Sequence, residues 1–313
     1  MWWGLVRRLL IFLISAAVAS VVVFALLTLV GDPARTALGT NATPQALIET
    51  RHQMGLDRPF ATQYATWIGG MLHGDFGTSY VTHLAIGPQI GQRLMVTMWL
   101  IAGGMIVALL VAIPVGTIAA VKHRTATGWI LSSLSQVGIA IPSFLAGILM
   151  VALISVKLGW LPAGGFVVPA QDPGGFVARM ILPWLSLGLV QGAVLARYVR
   201  SAVLDEMGQD YLRTARAKGL TQWRAVVRHG LRNASIPVLT VLGVQLITIL
   251  IGAVVVERVF VIPGIGSYLV DSVARQDRLA VQGIVVTIVA ISLAVSFVVD
   301  VAYTVIDPRL RRR

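Results

Sequence analysis

Residues 9–30 read LLIFLISAAVASVVVFALLTLV. None of these 22 side chains carries a charge. At ~1.5 Å of rise per residue, a helix of this length spans the ~30 Å hydrocarbon layer of a bilayer. Arg7 and Arg8 stand directly before it. Ala17-Val18-Ala19 imitates a signal-peptidase site, but the apolar run continues eleven residues beyond it. A signal h-region covers only about 7–15 residues. The run is therefore read as an uncleaved anchor helix with its N-terminus inside, cleavage being the alternative.

Five further apolar runs follow, roughly 94–121, 130–156, 180–196, 236–256 and 279–306. Each reaches the lower limit of about 17 residues for a helical span. Composition agrees: of 313 residues 57% are hydrophobic and only 12% charged, about half the charged share of ordinary soluble domains. Backbone groups in lipid must be paired within their own segment, so helices are the expected elements. The expected fold is an all-α polytopic membrane protein with six transmembrane helices. Its segments are an anchor helix (1–30), an extracytoplasmic helical cap (31–92), a five-helix core (93–307) and a basic tail (308–313).

A net charge of +12 raises the question of nucleic acid, but the basic residues flank the apolar runs. With six crossings, one side of the membrane holds Arg7, Arg8, Lys122, Arg124, eight Lys/Arg between 197 and 232, and Arg309 and Arg311–Arg313, which is 16 of the 25. This bias places both termini in the cytoplasm. No nucleic-acid partner is expected. Cysteine is absent, so disulfides, thiolate nucleophiles and Cys-based metal sites are excluded.

Local signals shape the remainder. Thr43-Pro44 reads as an N-cap with proline at N1, and Gly55 as a C′ stop. Pro59 opens a second helix, on which Phe60, Tyr64, Trp67, Ile68, Met71 and Leu72 form one apolar stripe. Pro114, Pro142 and Pro183 lie inside spans and Pro237 at the start of one, each removing a backbone donor. Packing irregularity is the simple reading; a gate that bends is the functional one, with Pro142 first. In Val261-Ile262-Pro263-Gly264-Ile265-Gly266 two glycines within three residues mark a turn. A re-entrant loop with Pro263 and Gly264 as a second gate is the functional version.

No catalytic constellation emerges. The five histidines lack metal-ligand spacing, and there is no P-loop. Asp300 is the clearest acid inside a span. Its place near a cytosolic end suits an interfacial residue better than the mid-membrane acid of a proton-coupled carrier. Neither a catalytic residue nor a metal ligand is expected, and no cofactor in this chain. Ser143, Gln191 and Gln245 are polar within spans and are candidates for a translocation path, or for helix–helix hydrogen bonds.

Residues 211–234, YLRTARAKGLTQWRAVVRHGLRNA, hold six Lys/Arg and no acid. Together with the residues just before them they read as two short amphipathic helices bent at Gly219. Leu204, Met207, Tyr211, Leu212 and Ala215 share a face before the bend, and Trp223, Val226, Val227 and Leu231 one after it. Thr221 caps the second helix. Such an element either lies on anionic lipid or fits a groove on a cytosolic protein.

This stretch resembles the permease subunits of ATP-binding-cassette importers, and specifically the dipeptide/oligopeptide branch, first subunit of the permease pair. That branch carries GQDYxRTARAKGL…RHxLRNAxxPV, matched here by Gly208–Tyr211, Arg213–Leu220, Arg228-His229, Leu231–Ala234 and Pro237-Val238. Further similar motifs appear in order: Gly31-Asp32-Pro33, Gly55-Leu56-Asp57-Arg58-Pro59, Gly74–Ser79, Leu158–Gly165, Pro263–Gly266 and Asp307-Pro308-Arg309.

The resemblance implies a type I importer permease fold with a cytoplasmic coupling helix within 204–234. It implies a second paralogous permease, two cytosolic ATPase subunits that bind ATP and Mg, and an external substrate-binding lipoprotein, assembled in the bacterial cytoplasmic membrane. Tyr211, Thr214, Ala215, Lys218, Gly219, Leu220 and Thr221 become the expected ATPase-coupling interface. Related branches move nickel, glutathione or haem, and an ion-coupled secondary transporter is the rival of another class, though neither inverted repeats nor a mid-membrane ion site is visible.

Overall fold

A computed structural model of the chain describes residues 2–29, 32–39 and 42–306. Every regular element among them is helical. The order is α1 (Trp2–Leu29), α2 (Pro33–Leu38), α3 (Pro44–Gln53), α4 (Phe60–Leu72), α5 (Ile86–Val121), α6 (Ala126–Ala140), α7 (Ser143–Met150), α8 (Pro173–Met207), α9 (Asp210–Ala217), α10 (Gln222–Ala225), α11 (Leu231–Val259), α12 (Ile265–Ala274) and α13 (Arg278–Ile306). Two π-helical segments, Val151–Lys157 and Val226–Gly230, prolong α7 and join α10 to α11.

Five helices are long and apolar enough to cross a membrane, or six if one bent pair is a single span. That pair covers the expected run 130–156, and the break between its halves falls at Pro142. Ala126–Ala140 and Ser143–Lys157 meet at 97°. The cause is local: Pro142 offers no N–H, and proline pushes its predecessor out of the helical region. Ile141 accordingly sits at φ −89°, ψ 120°. Pro114, Pro183 and Pro237 lie inside continuous helices. The span expected at 180–196 belongs to the much longer α8, whose N-cap is Asp172, accepting from the Gly175 N–H at 2.8 Å.

The chain divides into two compact units. The first comprises Met1–Val96 and Pro263–Phe297. In it Asp32 and Thr43 cap α2 and α3, each with a proline in the first turn. Gly55 takes φ +67° beyond α3, and Pro59 precedes α4. Part of the α4 stripe rests on α1: Phe24 meets Phe60, Tyr64 and Trp67 at ring-centroid distances of 5.3, 5.6 and 5.1 Å. Leu72, assigned to the same stripe, is 80% exposed. Ile86, Ile90, Ile265, Tyr268, Ala280 and Ile284 form the unit's core. The Ser79 hydroxyl donates to the buried carboxylate of Asp277, tying the 74–79 loop to the turn before α13.

The second unit comprises Thr97–Ile262 and Val298–Arg313. Its axis is α8, against which α6, α7 and α11 pack. Small residues allow α5 to approach α8 closely, as expected where lipid offers no hydrophobic gain for helix association. A Cβ on Gly188 would lie 2.5 Å from Val107, and one on Gly103 2.1 Å from the Trp184 indole. That indole donates to the Trp99 carbonyl at 3.0 Å.

Candidate functional site

The expected coupling segment forms a bend closed by backbone hydrogen bonds. α9 stops at Ala217, Gly219 N–H donates to the Arg216 carbonyl at 2.9 Å, and Leu220 N–H donates to Ala215 at 3.3 Å. This pair of bonds is a Schellman motif, which requires a left-handed residue at C′. Gly219 supplies it at φ +92°. The Thr221 hydroxyl then accepts from Arg224 N–H at 3.4 Å and starts α10. The helix of the bend's second arm continues without a break from Gln222 through the π segment to Val259. It is therefore rigidly joined to a span, not a separate short helix.

The apolar faces differ from the sequence reading. Leu204 and Met207 belong to α8, upstream of α9. Leu212, Ala225 and Val226 turn inward and are buried, with Gly230 beneath Leu212. Tyr211, Trp223 and Val227, grouped on the apolar faces by periodicity, are 38%, 46% and 44% exposed. Thr214, Lys218, Gly219 and Thr221 are exposed beside them, and Ala215 and Leu220 are partly so. The surface therefore presents two aromatic rings and a valine among arginines, an arrangement suited to a groove with acidic edges. The Tyr211 hydroxyl donates to Glu206; partial burial first, and then this bond, raise its phenol above the ordinary value.

The candidate path residues all fall in the second unit. Gln191 on α8 and Gln245 on α11 are buried. The Gln191 Oε1 has no hydrogen-bond partner among the described residues. Ser143 opens α7 with Pro142 as its N-cap residue, and its Oγ faces α11 at Gly252, 3.6 Å from where a Cβ would sit there. The side chain of Asp300, the tail 308–313 and Gly31 lie outside the described residues. No group of His, Asp or Glu suited to a metal occurs among the described residues.

At the second candidate gate the left-handed residue is Val261, at φ +52°, not a glycine. Gly264 has φ −89°, ψ −178°, an extended geometry open to any residue, and stands as N-cap of α12. Phe260 is buried beneath this turn, and its carbonyl accepts from Gly165 N–H at 2.7 Å. The 158–165 motif is thus held against the end of α11. A Cβ at Gly164 would fall 2.1 Å from that carbonyl oxygen.

Sequence reasoning missed Glu257, which is 0% exposed and accepts from the Thr97 hydroxyl. The signal was an acid directly after the run 236–256. It also missed α12, whose buried residues Ile265, Tyr268 and Ser272 fall at helical spacing.

Comparison with known proteins follows the same outline. Residues 112–312 match the family described as "Binding-protein-dependent transport system inner membrane component", and residues 1–101 match its N-terminal counterpart. The glutathione transport system permease protein GsiC of Salmonella choleraesuis (strain SC-B67) is 39% identical over 306 residues, 97% of each chain. GsiC of Escherichia coli (strain K12) is 38% identical over 307 residues, 98% of each chain. Among solved structures, the inward-facing MetNI methionine ABC transporter aligns with a TM-score of 0.56 at 16% identity, covering 70% of this chain and 96% of that one; this likeness shows a shared fold. Aligned with such permeases over nearly its full length, and with residues 112–312 inside the family's own domain, the chain belongs to the binding-protein-dependent transport inner-membrane family and is a multi-pass permease subunit of an ATP-binding-cassette importer.

Proposed function

We propose that the chain forms half of the translocation pathway of an importer for short peptides, with the tripeptide glutathione inside that class. Its partners are a second, paralogous permease, two cytosolic ATPase subunits that hold ATP and Mg, and an external binding lipoprotein. The chain itself catalyses nothing; hydrolysis belongs to the ATPases. The bend around Gly219 seats in an ATPase groove through Tyr211, Thr214, Ala215, Lys218, Gly219, Leu220 and Thr221, with Trp223 and Val227 added to that surface. Ser143, Gln191 and Gln245 supply polar groups along the path, and the breaks at Pro142 and at Pro263-Gly264 are its hinges.

One observation carries this reading: the helix that leaves the glycine-closed bend, Gln222–Val259, runs on into α11, so a push on Trp223 is delivered to a membrane span without an intervening joint. Coupling requires the ATPases to bind one state of the permease better than the other. The substrate class is supported by the dipeptide/oligopeptide motifs and by the relatives whose printed names specify glutathione. The test is uptake by the reconstituted complex with competing dipeptides, longer peptides, glutathione, nickel and haem. Competition by peptides or glutathione is expected. Competition by nickel or haem alone would overturn the substrate class, and crosslinks from Lys218→Cys that capture only lipid would overturn the coupling assignment.

A further inference from the structure

The broken span leaves a groove of about 320 Å³ in the second unit. Gly138 and Ile141 of α6, Ala146 of α7, Leu153 of the π segment after it, and Leu189 and Val190 of α8 line it. Every lining side chain is apolar. Just below the groove α6 is tight against α8, where a Cβ on Gly138 would lie 2.7 Å from the Ala193 Cβ. Above it α7 leaves at the 97° bend, and the crook stays unfilled. Leu149 and Leu153, both more than half exposed, mark its open side. On a membrane-spanning surface such an opening meets hydrocarbon rather than water.

The same face of α8 changes character toward the cytoplasm. Arg197 lies seven residues past Val190 and Arg200 eleven past Leu189, two and three turns, so both fall in the sector of the helix that lines the groove. The corresponding rises are about 10 and about 16 Å, close to the ~15 Å half-thickness of the hydrocarbon layer. Val194, partly exposed, keeps the face apolar in between. Arg197 is exposed, its guanidinium 5.2 Å from the centre of the Tyr198 ring. Arg200 is partly exposed: its Nε is covered, while its terminal nitrogens are open and bond to nothing among the described residues. Neither arginine has an ion pair among those residues. α6 and α7 carry no charge, and the end of α5, packed beside α8, leads into Lys122 and Arg124. Of the nearby acids, Asp205 stands five residues past Arg200, about 140° round the helix from it. Glu206 accepts from the Tyr211 hydroxyl, and Asp210 pairs with Arg213.

We propose that this face of α8 binds one anionic phospholipid of the cytoplasmic leaflet, with an acyl chain in the groove and the headgroup phosphate on Arg197 and Arg200. Guanidinium groups match phosphate oxygens through paired N–H donors. Basic pockets between membrane helices on the cytoplasmic side bind such headgroups. Tyr198 stands at the interfacial depth that an amphipathic ring favours. An apolar helix of the second permease would fill the groove yet leave both arginines without a counter-charge. A lipid supplies hydrocarbon and counter-charge in one molecule. The site does not depend on what the importer carries.

The experiment is native mass spectrometry of the full-length chain in detergent, titrated with dioleoyl phosphatidylglycerol, with dioleoyl phosphatidylcholine, and with glycerol 3-phosphate as the headgroup alone. One phosphatidylglycerol should be retained about tenfold or more tightly than phosphatidylcholine, and glycerol 3-phosphate not at all. The double variant Arg197→Gln, Arg200→Gln should lose that preference while still holding phosphatidylcholine as the parent chain does. Ala146→Phe, which fills the groove and leaves the arginines in place, should weaken both lipids together. Should that variant fail to insert, Leu149→Trp, at an exposed groove position, decides in its stead. Equal retention of the two lipids, or a preference unchanged in the double variant, would overturn the proposal. So would full phosphatidylglycerol retention with the groove filled, which would reduce the site to surface charge. Tight binding of glycerol 3-phosphate would assign a free-phosphate site instead. Lipid lost whenever the second permease is bound would make the groove the partner's seat, and that too overturns the lipid.

Discussion

At Gly219 the backbone adopts φ +92° with no heavy atom within 4 Å of where a Cβ would be. The need for glycine there is thus purely conformational: the left-handed region disfavours a Cβ by roughly 1–2 kcal/mol, most of all a β-branched one. Gly219→Val should open the Schellman closure, misplacing Lys218 and Leu220 while α8 and α11 keep their packing. The expected result is an inserted, stable chain whose assembled complex loses substrate-stimulated ATPase activity. Gly219→Asn, a residue that tolerates positive φ, should retain most of it. Normal stimulation in the valine variant would refute the assignment of this bend. Gly219 was legible in the sequence because a helix stop leaves a local signature. Val261 was not, because a β-branched residue at φ +52° contradicts every local preference. Its conformation is fixed by bonds on either side, the Ile262 N–H to Glu257 at 2.8 Å and the Gly165 N–H to Phe260 at 2.7 Å.

The broken span α6–α7 shows how one imino acid alters an element. A straight helix would place Leu134 and Leu149, both exposed, ~22 Å apart along its axis. The 97° bend shortens that separation. Pro142→Ala restores the missing donor and frees Ile141 to enter the helical region. Spin labels on cysteines introduced at 134 and 149, clean because the chain has no cysteine of its own, should then report a longer separation, and uptake should fall. An unchanged distance distribution would assign the bend to packing of α6 and α7 on α8 rather than to proline. Pro183 and Pro237 lie within continuous helices, so proline alone did not decide which span would break. The amphipathic arms were legible as helices, yet their faces were not. Periodicity grouped Tyr211 with Leu212 and Val227 with Val226, neighbours about 100° apart on the wheel. Which of each pair turns inward depends on where α8 and the π segment lie.

For the whole molecule, the sign of the membrane orientation follows from where the +12 net charge resides. A membrane-impermeant thiol reagent should label Thr62→Cys from outside intact cells, and Arg224→Cys only after permeabilisation. The reverse pattern would invert the topology and remove the bend from the ATPase side. Apolar runs, caps and stops were legible in the sequence itself, because apolar length, proline at N1 and glycine at C′ act through the chain's own neighbours. Thr43, Gly55, Gly219 and Thr221 all take those roles. Tertiary structure alone decided the pairings between residues far apart in sequence. Ser79 with Asp277, Thr97 with Glu257, and the groove that gathers Ile141, Leu153 and Leu189 are of this kind. Such contacts depend on which helices pack together, and a buried polar group seeks whatever partner that packing brings near, which no local pattern of residues encodes.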